Sequence, residues 1–177
     1  MPEPTQDQIR TGLWNSTVSP ASYATEADNR YRTAILEQYK LYVEMVDRIT
    51  NRRGLTNTFF LSLNTLILTV FGFFWKEKPA TIPLSVALLV TVILVGQAIT
   101  WWLILLSYRQ VNSGKYKVIG LLEERLPSSP YWSAEWKALG EGKDITLYFR
   151  LTYIEQFVPL LFAVLYAIGC VLVLTTP

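Results

Sequence analysis

The sequence predicts an all-α integral membrane protein, with three transmembrane helices and a cytoplasmic helical stalk. Residues 54–75, 79–108 and 156–177 contain no Asp, Glu, Lys or Arg. A bilayer core of about 30 Å is crossed by roughly 20 apolar residues in a helix, and each run reaches that length. Because backbone groups in hydrocarbon must bond to one another, each run is expected to be helical. The composition, 51% hydrophobic with a mean hydropathy of +0.25, agrees with this class.

Six segments follow from these runs and the polar stretches around them. They are an N-terminal polar segment (1–28), a cytoplasmic amphipathic helix (29–53), a first span (54–75), a second span (79–108), a cytoplasmic helix and loop (109–155) and a third span (156–176). Residues 1–29 lack the continuous apolar core of a signal peptide, so the first span is expected to act as an uncleaved membrane signal. Pro83 and Pro159 are expected in the first turns of their spans, where proline is tolerated.

The distribution of basic residues predicts the orientation. Seven Lys and Arg residues lie in 1–53 and seven in 109–155, whereas the loop 76–78 carries two and the tail none. Cytoplasmic segments carry such an excess, so we expect a multi-pass chain with its N-terminus in the cytoplasm and its C-terminus outside. Four of these cations are candidates to contact lipid headgroups, although topology alone also accounts for them: Arg52, Arg53, Lys115 and Lys117.

An apolar stripe marks the first cytoplasmic helix. Its members recur at alternating spacings of four and three residues, the pattern of a two-heptad seam: Ile35, Tyr39, Tyr42, Val46 and Ile49. Two interpretations stay open, packing on the chain's own second cytoplasmic helix and a seam between subunits. The cytoplasmic helices are too small to build a large core alone, which favours a homo-oligomer.

Polar side chains also occur within the spans. Asn57 and Asn64 lie seven residues apart, on one face of the first span, and Gln97 and Thr100 lie in the second. Amides in a bilayer face protein or water rather than lipid. These four residues are therefore predicted either to form hydrogen bonds between helices or to line a pore.

The sequence offers no recognisable catalytic or metal site. It has no histidine and one cysteine, and it lacks the usual nucleotide, hydrolase and metalloprotease motifs. Glu123 and Glu124 are adjacent, so they cannot share one helical face as an acid–base pair. We therefore expect no enzyme activity, no cofactor and no nucleic-acid partner.

Several strings are similar to those of a known family. They are residues 39–49 with 51–53, 57–65, 109–119, 135–144 and 152–155. Together they resemble the RipA-type family of small octameric bacterial inner-membrane proteins, over residues 36–165. The resemblance implies a ring in the bacterial cytoplasmic (inner) membrane, with eight as the candidate subunit number, and it carries no molecular activity. More weakly, the early strings resemble two-span effector domains of bacterial nucleotide-signalling defence systems.

These observations lead to two functional hypotheses of different kinds. The first is an oligomeric, ring-forming scaffold or pore that acts through its cytoplasmic face. The alternative is a membrane-perturbing effector of a bacterial defence or stress system. A membrane enzyme would need a polar catalytic cluster, which the sequence does not display. The expected partners are membrane lipids, further copies of this protein and a cytoplasmic protein.

Overall fold

The computed structural model describes Thr11 and residues 14–77, 83–149 and 151–175. Three long helices account for most of these residues: α1 (Glu26–Glu77), α2 (Leu84–Glu123) and α3 (Leu151–Thr175). The described residues contain no β-strand, only an isolated bridge between Trp14 and Ser128. All three helices are long and apolar enough to cross a membrane. The predicted all-α fold with three membrane helices is thus confirmed.

Helix α1 continues without a break through Gly54, where the cytoplasmic helix was predicted to meet the first span. Thr25 caps its start, because its hydroxyl oxygen accepts the Asp28 N–H at 3.2 Å. Farther along, Arg48 pairs with Glu44 at 2.6 Å, four residues away on the same face. The predicted segments 29–53 and 54–75 are therefore parts of one helix.

The two prolines occupy different positions. Pro83 directly precedes α2, and its carbonyl accepts the Val86 and Ala87 N–H groups at 2.9 and 3.1 Å. Pro159 was predicted in a first turn, and that prediction is wrong, because α3 begins upstream at Leu151 and Pro159 lies buried in its interior. Without an N–H, Pro159 gives no helical partner to the carbonyl four residues before it.

The protein divides into two compact units. The polar unit comprises Met1–Thr50 and Gln110–Arg150, and the span unit comprises Asn51–Arg109 and Leu151–Pro177. In the span unit, the buried residues of α2 recur with helical spacing at Ala98, Trp101 and Leu105. Two aromatic residues of α3 complete that core, Phe162 and Tyr166.

The core of the polar unit joins α1, the end of α2 and the loop that follows. Its buried apolar residues are Ile35, Val46, Ile119, Leu126 and Ala134. After α2 the backbone forms a π-helix (Pro130–Glu135), a short α-helical turn (Trp136–Ala138) and a 3-10 turn (Gly140–Gly142). Gly140 has φ +61° and faces Leu147, a conformation that residues other than glycine adopt only under strain.

Candidate functional site: an aromatic pocket beside Glu123

The carboxylate of Glu123 is fully buried in the polar unit and accepts four hydrogen bonds. Its Oε1 accepts the Tyr39 hydroxyl at 3.1 Å and the Tyr131 N–H at 3.0 Å. Its Oε2 accepts the Ser129 hydroxyl at 2.7 Å and the Trp132 N–H at 3.0 Å. Among the described residues no Lys or Arg pairs with it. The charge is therefore stabilised by neutral donors, which join α1 and the π-helix to the end of α2.

Local sequence explains why the loop turns back onto Glu123. The segment 127–130 is Pro-Ser-Ser-Pro, and proline cannot continue the helix. The new helical segment then starts at Pro130, and the first N–H groups of a helix have no partner within it. Tyr131 and Trp132 supply two such groups, and a carboxylate is well placed to accept them.

The end of α2 is held from the other side by the N-terminal segment. The Asn15 amide donates to the carbonyl oxygens of Glu123 and Leu126, both at 2.7 Å. The Tyr23 hydroxyl donates to the Arg125 carbonyl at 3.1 Å. The last carbonyls of a helix have no partner within it, so Asn15 caps α2 at Glu123, and Asn15 and Tyr23 also hold the turn that follows the helix.

A pocket of about 530 Å³ lies beside this loop, within the polar unit. One wall belongs to α2 and the other to the π-helix and the turns after it. Its lining combines five aromatic side chains, three of them tyrosines, with one lysine, one glutamate, one serine and one leucine: Ser113, Tyr116, Lys117, Tyr131, Trp132, Glu135, Trp136, Leu139 and Tyr148.

Gly120 fixes the position of one aromatic wall. A Cβ atom built on Gly120 would stand only 2.6 Å from Cδ2 of Trp132 and 2.8 Å from its Cγ. The indole therefore lies directly against the backbone of α2, and only glycine leaves room for it. Glu123 accepts the backbone N–H of the same tryptophan, so two separate contacts fix the position of Trp132.

Two tyrosines of the polar unit have raised pKa values. Burial and then the charge of Glu123 raise the pKa of the Tyr39 hydroxyl, which therefore stays protonated and donates to that carboxylate. Burial and then the charge of Glu135 raise the pKa of Tyr116, with a smaller effect from Asp47. The environment of the Tyr116 phenol is thus unfavourable to further negative charge.

The intramembrane asparagines contact other helices of the same subunit. Asn57 accepts the indole N–H of Trp101 at 3.0 Å. Asn64 is fully buried, accepts the Tyr166 hydroxyl and donates to the Phe60 carbonyl at 2.7 Å. The Phe60 and Trp101 rings stack with centroids 5.4 Å apart. Both amides therefore form hydrogen bonds between helices of one subunit.

Gln97 and Thr100 are placed differently. The Thr100 hydroxyl is exposed and donates to the carbonyl of Gly96 in its own helix at 2.9 Å. Nε2 of Gln97 is buried and has no hydrogen-bond partner among the described residues. Neither residue forms a side-chain hydrogen bond between helices within the described part of the protein, so their predicted roles stay predictions.

The four predicted headgroup cations separate into different environments. Arg52 is exposed, whereas Arg53 lies 3.3 Å from Glu155 in an ion pair that is about five-sixths buried on both sides. The ammonium of Lys115 lies 5.2 Å from the Tyr42 ring centroid. Lys117 is exposed and lines the pocket.

The predicted seam of α1 is largely occupied within the polar unit. Ile35 and Val46 are buried, and Tyr39 donates to Glu123. Tyr42 lies under Lys115, and Ile49 is half-buried. These positions make contacts within their own subunit, and an intersubunit role for them stays a prediction.

Sequence reasoning missed the residues that shape the pocket. The sequence argument treated Glu123 and Glu124 only as adjacent carboxylates, and in the structure the first is buried and the second exposed. That argument overlooked that Glu123 lies four residues after Ile119, on the buried face of α2. A carboxylate on an apolar face directly before a Pro-Ser-Ser-Pro turn was the available signal, because such a charge needs donors nearby. The sequence around Asn15 and Gly120 contains no comparable signal of their roles.

These features define a helical membrane protein whose polar unit contains an aromatic pocket with two charged residues. No group of three His, Cys, Asp or Glu among the described residues could hold a metal ion. The model of the octameric membrane protein family, 8xMP, matches residues 36–175, and the protein belongs to that family. No curated protein and no solved structure matches the sequence. The family supports a membrane location and homo-oligomerisation, as expected from the sequence.

Proposed function

We propose that the protein is an octameric scaffold of the bacterial cytoplasmic membrane that presents one aromatic pocket per subunit to the cytoplasm. Membership of an octameric membrane family supports the assembly. The excess of Lys and Arg in 1–53 and 109–155 supports a cytoplasmic polar unit with the N-terminus inside and the C-terminus outside. The resemblance of strings such as 109–119 to the RipA-type family of bacterial inner-membrane proteins supports a bacterial cytoplasmic membrane as the location.

The observation that carries this proposal is the fixed pocket in the polar unit. Glu123 uses both oxygens to hold the loop, with two donors on each. Glu123 itself does not line the pocket, and its hydrogen bonds fix the backbone of two residues that do, Tyr131 and Trp132. The pocket is thus a preformed cavity suited to binding, and the absence of enzyme activity stays a prediction.

A pore is the second candidate, and one residue favours it. The Gln97 amide lies in α2 without a hydrogen-bond partner among the described residues, and a polar group at membrane depth favours water or protein. Against a pore, Asn57 and Asn64 bond within the subunit and supply no free polar face. No contact among the described residues favours the membrane-perturbing effector, and it is not part of the proposal.

We infer that subunits meet along an uncovered face of α2. Val111 and Leu121 are 45% and 63% exposed, although they belong to the polar unit, where lipid would not cover them. Gly114 and Val118 lie between them at heptad spacing, and no heavy atom approaches the Cβ position of Gly114. Because the family is octameric, a second copy of the protein is the partner that this face fits.

Solute flux through a defined octamer tests the scaffold against the pore. The full-length protein is purified, its subunit number is measured by native mass spectrometry, and the octamer is placed in liposomes with trapped K⁺ and a small dye. A scaffold gives no leak above that of empty liposomes. Flux that falls in Gln97→Leu, with the octamer intact, would establish the pore and remove the scaffold.

A further inference from the structure

The pocket keeps aromatic surface exposed that a folded unit would ordinarily bury. Its five rings retain between 37% and 51% exposure, and they face one cavity from two directions. They are Tyr116, Tyr131, Trp132, Trp136 and Tyr148. A cluster of exposed rings around a concavity is typical of a ligand site, since aromatic faces attract cations and flat groups.

The same cavity contains two opposite charges. Lys117 comes from α2 and Glu135 from the end of the π-helix. Neither belongs to an ion pair among the described residues. The charge of Glu135 acts on the Tyr116 phenol, where it contributes to the raised pKa. The aromatic region near Tyr116 is therefore favourable to a positive group, and Lys117 offers a separate position for a negative one.

We propose that this pocket binds a small zwitterion in which an ammonium group is joined to a phosphodiester. The ammonium lies among the tyrosine and tryptophan rings beside Glu135, held by cation–π attraction and a charged hydrogen bond. The phosphodiester lies at Lys117, with the Ser113 hydroxyl as a second donor. An uncharged aromatic ligand would instead desolvate both charged groups without compensation. The ligand comes either from a lipid headgroup or from a free phosphodiester.

The site is arranged before a ligand arrives. Glu123 fixes the backbone of Tyr131 and Trp132, and Gly120 admits the Trp132 indole against α2. Fixing the rings in advance lowers the entropy lost on binding. This inference goes beyond the scaffold proposal and can fail separately from it. An octamer that binds no ligand would contradict the inference and leave the scaffold intact, whereas a smaller assembly that binds the ligand would do the reverse.

Calorimetric titration of the full-length protein in a maltoside detergent tests the site. The probe is glycerophosphoethanolamine, compared with ethanolamine, which lacks the phosphate, and with glycerol 3-phosphate, which lacks the ammonium. We expect the zwitterion to bind about tenfold more tightly than either fragment, since each lacks one charged contact. Absence of binding, or equal affinity for the zwitterion and one fragment, would overturn the proposal.

Matched variants identify the residues responsible. Glu135→Gln and Lys117→Met should each weaken binding of the zwitterion about tenfold. The controls Glu124→Gln and Lys40→Met remove exposed charges outside the pocket and should leave the affinity unchanged. Glu135→Gln should also reduce the preference for the zwitterion over glycerol 3-phosphate, whereas Lys117→Met should reduce the preference over ethanolamine. Equal effects of the pocket and control variants would contradict the assignment.

Gly120→Ala supplies a test that changes no charge. The added methyl collides with Trp132, so binding should weaken while the thermal transition shows that the protein still folds. Nanodiscs then separate the two sources of the ligand. If lipid headgroups occupy the pocket, phosphatidylethanolamine in the disc lowers the apparent affinity for the soluble probe relative to discs of phosphatidylglycerol. An unchanged affinity identifies a free phosphodiester, and both results support the same chemistry.

Discussion

At the scale of single residues, the structure of the polar unit depends on Glu123. A fully buried carboxylate costs free energy unless donors replace the water that it loses. Here Tyr39 and Ser129 supply hydroxyls and Tyr131 and Trp132 supply N–H groups, so one carboxylate orders three separate parts of the protein. A glutamine amide has the same size but cannot accept four hydrogen bonds, because its NH₂ group is a donor and only its oxygen accepts.

Glu123→Gln should therefore destabilise the protein while Glu124→Gln should not. Two donors lose their acceptor, and we expect a cost of roughly 2–3 kcal/mol, or about 5–10 °C in the thermal transition. Glu124 is exposed, which makes it a matched control one residue away. Differential scanning fluorimetry in detergent measures both variants. Equal transitions would show that the network contributes nothing to stability.

At the scale of elements, the three helices follow from the sequence, and their ends and partners follow only partly. Length and absence of charge were sufficient to predict the apolar parts of α1, α2 and α3, because hydrocarbon leaves the backbone no alternative. Pro159 was wrongly placed in a first turn, because α3 already begins at Leu151. The first turns of this helix carry polar residues that contact other helices, with Glu155 bonded to Arg53 and Gln156 to Arg109 at 3.3 Å in both cases. Such long-range pairs are invisible to local periodicity.

For the candidate site, too, the sequence shows what single side chains require but not which partners they find. The Asn57 and Asn64 amides, for example, need hydrogen-bond partners in a bilayer whatever the fold. Which partner each one finds depends on helix rotation, and no pattern predicted Trp101 and Tyr166. The pocket was even harder to predict from the sequence. It depends on a π-helix and on the contact between Gly120 and Trp132, which exist only after the loop has folded back.

The Asn64–Tyr166 contact gives a prediction for the packing of α1 on α3. A double-mutant cycle with Asn64→Leu and Tyr166→Phe should show a coupling free energy of about 0.6–1.7 kcal/mol, the range for hydrogen bonds between membrane helices. Unfolding in mixed micelles with a denaturing detergent measures it. Thr69→Val replaces Asn64→Leu in the control cycle, because Thr69 bonds only to the Thr65 carbonyl of its own helix. Additive effects in the test cycle would exclude the contact.

At the scale of the whole molecule, membership of an octameric family requires that each subunit leave apolar surface for its neighbours. The seam predicted on α1 is mostly taken up inside the subunit, with Ile35 and Val46 buried and Tyr39 bonded to Glu123. Exposed apolar residues in the spans have lipid as an alternative partner. With the polar unit in the cytoplasm, as proposed, its exposed apolar residues have only water or protein as partners, and Val111 and Leu121 on α2 are available to a second subunit.

Leu121→Glu should therefore disrupt the octamer. Leu121 is 63% exposed in the single subunit, so the substitution is compatible with folding, but eight carboxylates along apolar contacts would each lose water without a partner. Leu41→Glu is the control, since Leu41 is 54% exposed on α1 of the same unit. Native mass spectrometry from nanodiscs should detect smaller assemblies for the first variant and octamers for the second. The reverse result would assign the subunit contact to α1, which is one of the two interpretations that its heptad pattern left open, and would leave the α2 face free for another protein.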